Sequence, residues 1–246
     1  MAVTTQLSAG RDRWREGIDN ATGNEKWDMH DCCIRSVVDE FNGHLADQPH
    51  YFPLDWHLIK AMIWVETGAG SPLWEQNPIQ MGNPGDPGLN ALLDGKEGGD
   101  LILPLALRGV LNRGSVSTST KNNIRAGVGY LLMRLADFAI KSIPNSDRRT
   151  YEVKVRPGDN LDRIARMQGT TIEMMKALNP GAHILRPGQT LMYRKASMKK
   201  VIVGWKPRTT SNIARYYNGG GDARYAEKLS YVLPLIRQRN ITTCVQ

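Results

Sequence analysis

The sequence predicts an α+β fold, mainly α-helical with a small strand–helix–helix–strand unit in its second half. Apolar residues recur at three- and four-residue spacings before residue 149 and again after residue 196, which is the period of amphipathic helices. Between them, in 150–195, two alternating strand-like stretches bracket two short helical patterns. The chain therefore holds either three pieces or one helical domain interrupted by an inserted module.

The N-terminal part contains a polar segment followed by two helical patterns. Residues 1–27 are polar and contain glycine, so they predict a loosely packed N-terminal arm. A helix is predicted at 31–45, where apolar residues recur at helical spacing. A second helix is predicted from Asp55, a suitable N-cap residue, to Thr67, because Gly68 then ends the pattern.

The next segment, 75–100, is rich in Gly, Pro, Asn and Asp and is predicted to be a long structured loop. A loop of this length inside a compact domain is usually functional. The remaining predicted elements are helices at 104–112, 121–141, 209–217 and 222–239, with a kink at Pro234, and a linker at 144–147.

The net charge of +8 is distributed unevenly along the 246 residues. Residues 1–149 carry a net charge of −3, 150–195 carry +4 and 196–246 carry +7. No run of Lys or Arg is longer than two residues, so we expect no nucleic-acid partner. No apolar stretch is long enough to span a bilayer, so no membrane insertion is expected either. An anionic wall polymer is a sufficient partner for this charge.

The cysteines and the N-terminus bear on where the protein works. Cys32, Cys33 and Cys244 fit no metal-binding spacing, and no metal or other cofactor is expected. Free or buried thiols are the preferred interpretation, and a bridge from Cys244 to one of the pair is the alternative for an oxidising compartment. The first fifteen residues lack the apolar segment of a secretory signal, so synthesis in the cytoplasm without such a signal is expected.

The unit at 150–195 has a continuous motif. It reads Tyr151-x-Val-x-x-x-Pro-Gly-Asp-Asn-Leu-x-x-Ile-Ala, then Thr171-Ile-x-x-Met-x-x-Leu-Asn-Pro, then Leu185-x-Pro-Gly-Gln-x-Leu. Gly158 permits a turn, and Asp159 is expected to cap the first helix. The whole unit resembles a LysM domain, a family that binds N-acetylglucosamine-containing polymers such as peptidoglycan or chitin.

The resemblance to LysM domains also implies a sugar-binding groove. In that family the groove lies between the loop that enters the first helix and the loop after the second helix. The corresponding residues of this chain are Asp159, Asn160, Leu161, Asn179, Pro180, His183 and Ile184. Asn160 replaces the commoner Ser or Thr of the family. The alternative for Asp159 and Asn179 is a purely structural role in turns and caps.

The predicted second helix places a carboxylate at the end of an apolar stripe. The stripe consists of Trp56, Ile59 and Ile63, and Glu66 follows them on the same face. A Glu in this position faces the core or a cleft wall, and burial raises the pKa of a carboxyl toward that of a general acid. The alternative is a Glu at a helix end that turns out to solvent.

Four segments, taken in order, point to one family. They are Leu58-Ile-Lys-Ala-Met-Ile-Trp-Val-Glu-Thr-Gly68, Asn77-Pro-Ile-Gln-Met-Gly82, Asn123-Ile-Arg-Ala-Gly-Val-Gly-Tyr-Leu-Leu132 and Ala214-Arg-Tyr-Tyr-Asn-Gly-Gly220. Together they resemble motifs of lytic transglycosylases and goose-type lysozymes. The resemblance implies one discontinuous lysozyme-like domain that consists of 28–149 and 196–246. The arm at 1–27 precedes this domain, and the LysM module at 150–195 is inserted into it.

This second resemblance implies roles for individual residues. Glu66 would be the catalytic acid and base, and Tyr217 would support Glu66 or the transition state. The residues implied in substrate binding are Thr67, Gln80, Met81 and Asn218. Thr67 stands where the family commonly has Ser, and Asn77-Pro78 replaces its Gly-Leu.

The implied activity is cleavage of the β-1,4 bond between N-acetylmuramic acid and N-acetylglucosamine in peptidoglycan. With Glu66 alone, the product would carry a 1,6-anhydromuramoyl end. A hydrolytic muramidase would need a second carboxylate, for which Glu75, Asp86 and Asp94 are the candidates. The third hypothesis is a wall-binding scaffold protein without enzymatic activity.

The expected absence of a secretory signal suggests dedicated delivery to the wall. Type VI secretion or phage lysis or tail machinery would provide it, and a toxin delivered to rival cells would have an immunity partner.

Overall fold

The computed structural model describes residues 2–21, 23–238 and 244, and side chains from residue 10 onward. The observed fold is mainly helical with two small two-stranded sheets, which confirms the predicted α+β class. The chain divides into two compact units, one formed by 1–137 with 203–246 and the other by 138–202. Within the described ranges, none of the helices has the length and apolar character that crossing a membrane requires.

The first unit is built from helices. They are α1 (Ala2–Ala21), α2 (Asp31–Leu45), α3 (Trp56–Glu66), α4 (Pro87–Leu93), α5 (Gly99–Ile102), α6 (Arg113–Thr118), α7 (Thr120–Leu135), α10 (Thr210–Ile213), a π-helical turn (Ala214–Asn218) and α11 (Tyr225–Arg237). Helix α3 lies in the core, because every residue from Leu58 to Trp64 is buried and both α2 and α11 pack against it. Even Lys60 of this helix is buried, and its ammonium lies 2.7 Å from a carboxylate oxygen of Asp31.

The second unit contains β2 (Tyr151–Lys154), α8 (Leu161–Gln168), α9 (Ile172–Leu178) and β3 (Thr190–Tyr193), as the motif predicts. Strands β2 and β3 are antiparallel, with Tyr151 opposite Tyr193 and Lys154 opposite Thr190. The small core includes Ile164, Ala165 and Met175, all three of which belong to the continuous motif. Two further strands, β1 (Ala136–Pro144) and β4 (Ala196–Trp205), pair with each other, and both unit boundaries fall within them.

The sequence predicts a single helix at 121–141, and this prediction is wrong. Helix α7 ends at Leu135, and β1 takes over the remainder and the start of the expected linker. The local apolar spacing continues past 135, but pairing with β4, some sixty residues later, overrides it. That partner strand was missed at sequence level although Val201-Ile-Val is β-branched.

Three other expectations about secondary structure are wrong. The loop at 75–100 contains α4 and α5; Asp86 caps α4 and Pro87 occupies its first position, a helix-start signal. The helix expected at 104–112 is a single short turn, Leu105–Leu107. The N-terminal arm is the long helix α1, whose Ile18 and Ala21 are buried, so it is not loosely packed.

The cysteine expectation also needs correction. Cys32 of α2 forms a disulfide with Cys244, and Cys33 is a free, half-buried thiol. The preferred interpretation of free thiols was therefore wrong for two of the three cysteines. Sequence spacing alone does not show which distant cysteines meet, because the pair is separated by 212 positions.

Removing this disulfide is expected to lower stability. The Cys32→Ser variant should lose about 2–4 kcal/mol of unfolding free energy, because the bond closes a very long loop in the unfolded chain. Urea unfolding followed by circular dichroism measures the loss. Cys33→Ser is the matched control, since it changes the neighbouring thiol and leaves the bridge intact, and an equal loss in both variants would contradict the prediction.

Candidate active site

Glu66 is the last residue of α3 and lies against α11. Its side chain remains partly accessible to solvent, although protein surrounds most of it. Burial raises the pKa of Glu66 to about 7, whereas interaction with the Tyr225 hydroxyl acts in the opposite direction. The negative charge of Asp222 adds to the rise and the positive charge of Lys228 opposes it. A substantial fraction of Glu66 is therefore protonated at neutral pH.

The loop at 77–82 holds the end of the Glu66 helix. The Thr67 hydroxyl donates a hydrogen bond to the carbonyl oxygen of Pro78, 2.6 Å away, and the Gln80 side-chain amide donates to the carbonyl oxygen of Glu66. Gln80 adopts a φ of 56°, which is uncommon for a residue other than glycine. Both side chains are therefore used internally, and Thr67 offers a sugar only the acceptor capacity of its oxygen. Met81 is buried.

Asn123 fixes the same loop from the opposite side. Its side chain is fully buried near the start of α7; its oxygen accepts from the Ile79 backbone N–H at 3.0 Å, and its amide donates to the Met81 carbonyl oxygen at 2.9 Å. Gly127, one turn later, lies so close to Ile79 that an added Cβ would come within 2.6 Å of that side chain. The second and third sequence segments thus meet in the fold.

The fourth segment contributes the π-helical turn Ala214–Asn218. Tyr217 is buried; its ring centroid lies 5.6 Å from that of Tyr130 and 6.4 Å from that of Tyr225. Burial, followed by the charge of Glu66, holds the pKa of Tyr217 well above its usual value, so this phenol stays protonated. Asn218 accepts a hydrogen bond from the backbone N–H of Asp222 at 2.8 Å.

Three residues of this site were not predicted. Asp222, Tyr225 and Lys228 all interact with Glu66. Burial opposes ionisation of Asp222, but hydrogen bonds from Lys228 and the Arg224 backbone outweigh it and lower its pKa. The sequence indicated these residues only through their closeness to the fourth segment: Asp222 follows that segment closely, and the other two lie three and six residues further on.

The hydroxyl group of Tyr225 is fully buried and interacts with the Glu66 carboxylate. This contact falls outside strict hydrogen-bond geometry, and within the described part of the chain the hydroxyl has no better partner. A proton donor is therefore held beside the carboxylate without being committed elsewhere.

The three carboxylates proposed from the sequence as a second acid lie in other settings. Asp86 accepts hydrogen bonds from the backbone N–H groups of Gly82 and Gly88 at 2.8 and 2.7 Å, so it serves the loop and the start of α4. Asp94 is exposed and pairs with Lys96 at 3.5 Å, and Glu75 is exposed. The carboxylate that acts on Glu66 is Asp222.

No metal centre is visible in the ranges that the structure describes: they hold no group of three or more His, Cys, Asp or Glu side chains arranged for an ion.

The second unit brings its two predicted groove loops to one end of its sheet. The Val155 backbone exchanges hydrogen bonds with Gly188 and Gln189, each 2.8 Å long, so the loop before α8 lies beside the loop before β3. Of the predicted groove residues, Asn160, Pro180, His183 and Ile184 are exposed. Leu161 is half-buried against the core.

Two predicted groove residues have structural contacts. Asn179 bonds the backbone of Met192 with both its amide nitrogen and its oxygen, at 2.7 and 2.8 Å, and thereby joins the end of α9 to β3. Asp159 accepts from the Arg156 backbone N–H at 2.9 Å and caps a turn, whereas Asn160 caps α8. The expectation that Asp159 caps this helix was wrong.

Ile184 offers a test of the groove. Its side chain is 80% exposed, so Ile184→Ser should leave the fold unchanged but weaken binding to purified peptidoglycan by about ten- to a hundredfold, because covering an isoleucine is worth about 1.5–3 kcal/mol. A sedimentation assay measures the affinity. Met167→Ser, at a 61% exposed apolar position on α8, is the control. Equal weakening in both variants would place the binding surface elsewhere.

Comparison with known protein families supports one of the two resemblances. The family model named LysM domain matches residues 153–192, within the predicted module. No curated protein and no solved structure shows significant similarity to this chain. The lysozyme-like resemblance therefore stays a prediction, and the LysM domain at residues 153–192 supports peptidoglycan binding.

Proposed function

We propose that the chain cleaves the glycan strand of peptidoglycan between N-acetylmuramic acid and N-acetylglucosamine, with Glu66 as the general acid. The observation that carries the proposal is the setting of Glu66, a partly accessible carboxyl whose pKa burial raises to about 7. Segments far apart in the sequence converge on it, and the same chain carries a LysM domain for the glycan. A group with this pKa suits proton transfer near neutral pH.

The single-acid mechanism balances without water. Glu66 gives its proton to the bridging oxygen as the bond from the muramoyl C1 to that oxygen breaks. The resulting carboxylate then takes the proton of the sugar's own C6 hydroxyl, whose oxygen attacks C1 and closes the 1,6-anhydro ring. Glu66 is thereby protonated again. The Tyr225 hydroxyl beside Glu66 would stabilise its carboxylate between the two steps.

A hydrolytic reaction is the second candidate, and Asp222 is the observation that favours it. This carboxylate is ionised and acts on Glu66, so it is a better candidate for activating water than Glu75, Asp86 or Asp94. Its salt bridge to Lys228, with a distance of 2.7 Å, weakens it as a base. We therefore prefer the single-acid mechanism.

Mass spectrometry of the fragments released from purified peptidoglycan sacculi tests the proposal. The single-acid mechanism predicts soluble fragments with 1,6-anhydromuramoyl ends. Fragments with reducing muramic acid ends would favour the hydrolytic reaction. Sacculi that bind the protein but release no soluble fragments would overturn the proposed activity and favour a wall-binding scaffold.

The proposed site of action is the compartment that contains the cell wall. The disulfide between Cys32 and Cys244 suits an oxidising compartment, and the LysM domain suits the wall itself. Delivery as a type VI effector or by phage machinery, with an immunity partner in the first case, belongs to this proposal. Expression directed to the periplasm should lyse cells, whereas lysis from the cytoplasm without export would contradict it.

A further inference from the structure

A groove of about 430 Å³ lies next to the Glu66 site. Its walls include Arg13, Trp14 and Gly17 of α1, Thr67 and Gly68 after α3, and Lys228 of α11. Thr67 directly follows Glu66 in the chain, and the charge of Lys228 acts on Glu66. The groove therefore adjoins the proposed active site.

The wall contributed by α1 is fixed to the rest of the unit. Arg15 pairs with Glu227 of α11 at 3.1 Å, and Asp19 accepts a hydrogen bond from the Tyr231 hydroxyl at 2.8 Å. The buried Ile18 lies on the same helix. Because polar contacts and a buried apolar side chain both hold α1 against the rest of the unit, the fold itself fixes this wall of the groove.

Indole rings contribute to the apolar surface of the groove. Trp14 and Trp27 both line it and are half-buried, so part of each indole faces the groove. The Trp27 ring lies directly against Gly68, where an added Cβ would come within 2.9 Å of it. Indole rings offer a large, rigid, apolar surface at little entropic cost, which suits the flat face of a sugar ring.

Positive charge stands beside these rings. Arg13 is an exposed member of the groove wall, and the Lys228 ammonium, which pairs with Asp222 at 2.7 Å, lies 5.6 Å from the Trp14 ring centroid. An aromatic surface flanked by cations matches a sugar that carries a carboxylate. In peptidoglycan the muramic acid unit has this chemistry, because its lactyl group carries an acidic stem peptide.

We propose that this groove binds a muramic acid unit of the glycan strand together with its acidic stem peptide. Trp14 and Trp27 contact the sugar, and Arg13 attracts the carboxylates. The inference rests on the proposed function, since it takes peptidoglycan as the substrate of the adjoining site. It gives α1, which the sequence analysis treats as an arm, a role in substrate recognition.

Tryptophan fluorescence of the full chain can report this binding separately from that of the LysM domain, because residues 138–202 contain no tryptophan. The probe is the disaccharide N-acetylglucosaminyl-N-acetylmuramic acid with its stem peptide, added to the Glu66→Gln variant so that it is not cleaved. We expect a saturable change. A chitin tetrasaccharide, which lacks carboxylates, should bind about tenfold or more weakly.

Two glycines of α1 provide a matched pair of variants. Gly17 lines the groove, whereas Gly10 does not, and a Cβ added at either one meets no atom within 4 Å. Gly17→Phe should fill the groove and abolish the fluorescence change, and Gly10→Phe should leave it intact. Arg13→Glu should weaken binding of the peptide-bearing disaccharide and leave the chitin tetrasaccharide unaffected.

Equal binding by Gly17→Phe and Gly10→Phe would overturn the assignment of the groove. Equal affinity for the two probes, with no effect of Arg13→Glu, would overturn the assignment of a carboxylate-bearing ligand. Failure of the proposed function is distinguishable from either result. In that case the peptide-bearing disaccharide binds as expected, but sacculi release no fragments.

Discussion

Replacing Glu66 with glutamine is expected to reduce glycan cleavage by about 10²- to 10⁴-fold. Glutamine keeps the size of the side chain but has no acidic proton to give to the leaving oxygen. The rate of release of soluble fragments from sacculi measures the effect. Binding to sacculi should be unchanged, because the LysM domain lies in the other unit of the chain.

Two controls separate this loss from a loss of folding. Glu75→Gln removes an exposed carboxylate elsewhere in the same unit and should leave the rate unchanged. Burial raises the pKa of Glu66 from 4.5 to about 7, so the native chain loses stability as the pH rises from about 4.5 to about 7 and stays at the lower level above it. Glu66→Gln carries no such penalty and should therefore be more thermostable than the native chain at pH 8. If Glu66→Gln cleaves sacculi as fast as the native chain, Glu66 is not the acid.

Replacing Asn123 with alanine is expected to lower the free energy of unfolding by about 3–5 kcal/mol, because several buried polar groups lose their partner at once. These groups are the backbone N–H of Ile79, the carbonyl oxygen of Met81 and the side chain of Asn77. Chemical denaturation measures the loss. Cleavage should also fall, since the loop at 77–82 then no longer holds the end of the Glu66 helix.

The neighbouring residue provides the control for this substitution. Asn122 lies on the same helix, is half-buried and accepts one hydrogen bond from Arg125 at 3.1 Å. Asn122→Ala should therefore cost far less stability and leave cleavage near its native rate. A similar loss in both variants would show that the helix, rather than the loop contacts of Asn123, is the cause.

The sequence predicts correctly those elements that are specified by residues close together in the chain, such as helix caps, apolar spacing and turns. Helix α2 begins and ends where its apolar spacing indicates, and α3 follows its N-cap Asp55. The LysM domain is predictable because its turns, caps and core lie within one short continuous motif. In contrast, β1 depends on pairing with β4, and α1 depends on contacts with α11 about 200 residues away, so neither is visible in a local pattern.

The candidate site shows the same division. Glu66 is a candidate at sequence level because it ends an apolar stripe and lies in the first of four ordered segments that resemble one family. Asp222 and Tyr225 could not, since their role arises only when α11 packs against α3. Asn179 shows what the motif does not reveal: its amide joins two elements of the module, whereas the implied sugar contact stays a prediction.

The pH dependence of kcat/KM for glycan cleavage tests the central claim most directly. Glu66 must be protonated to act as the acid, and burial places its pKa at about 7. The account predicts that kcat/KM falls as the pH rises through about 7, approaching a tenfold loss per further pH unit. A value that stays constant from pH 6 to pH 9 (roughly one unit below that pKa to two above it) would contradict the assignment of Glu66 as the general acid.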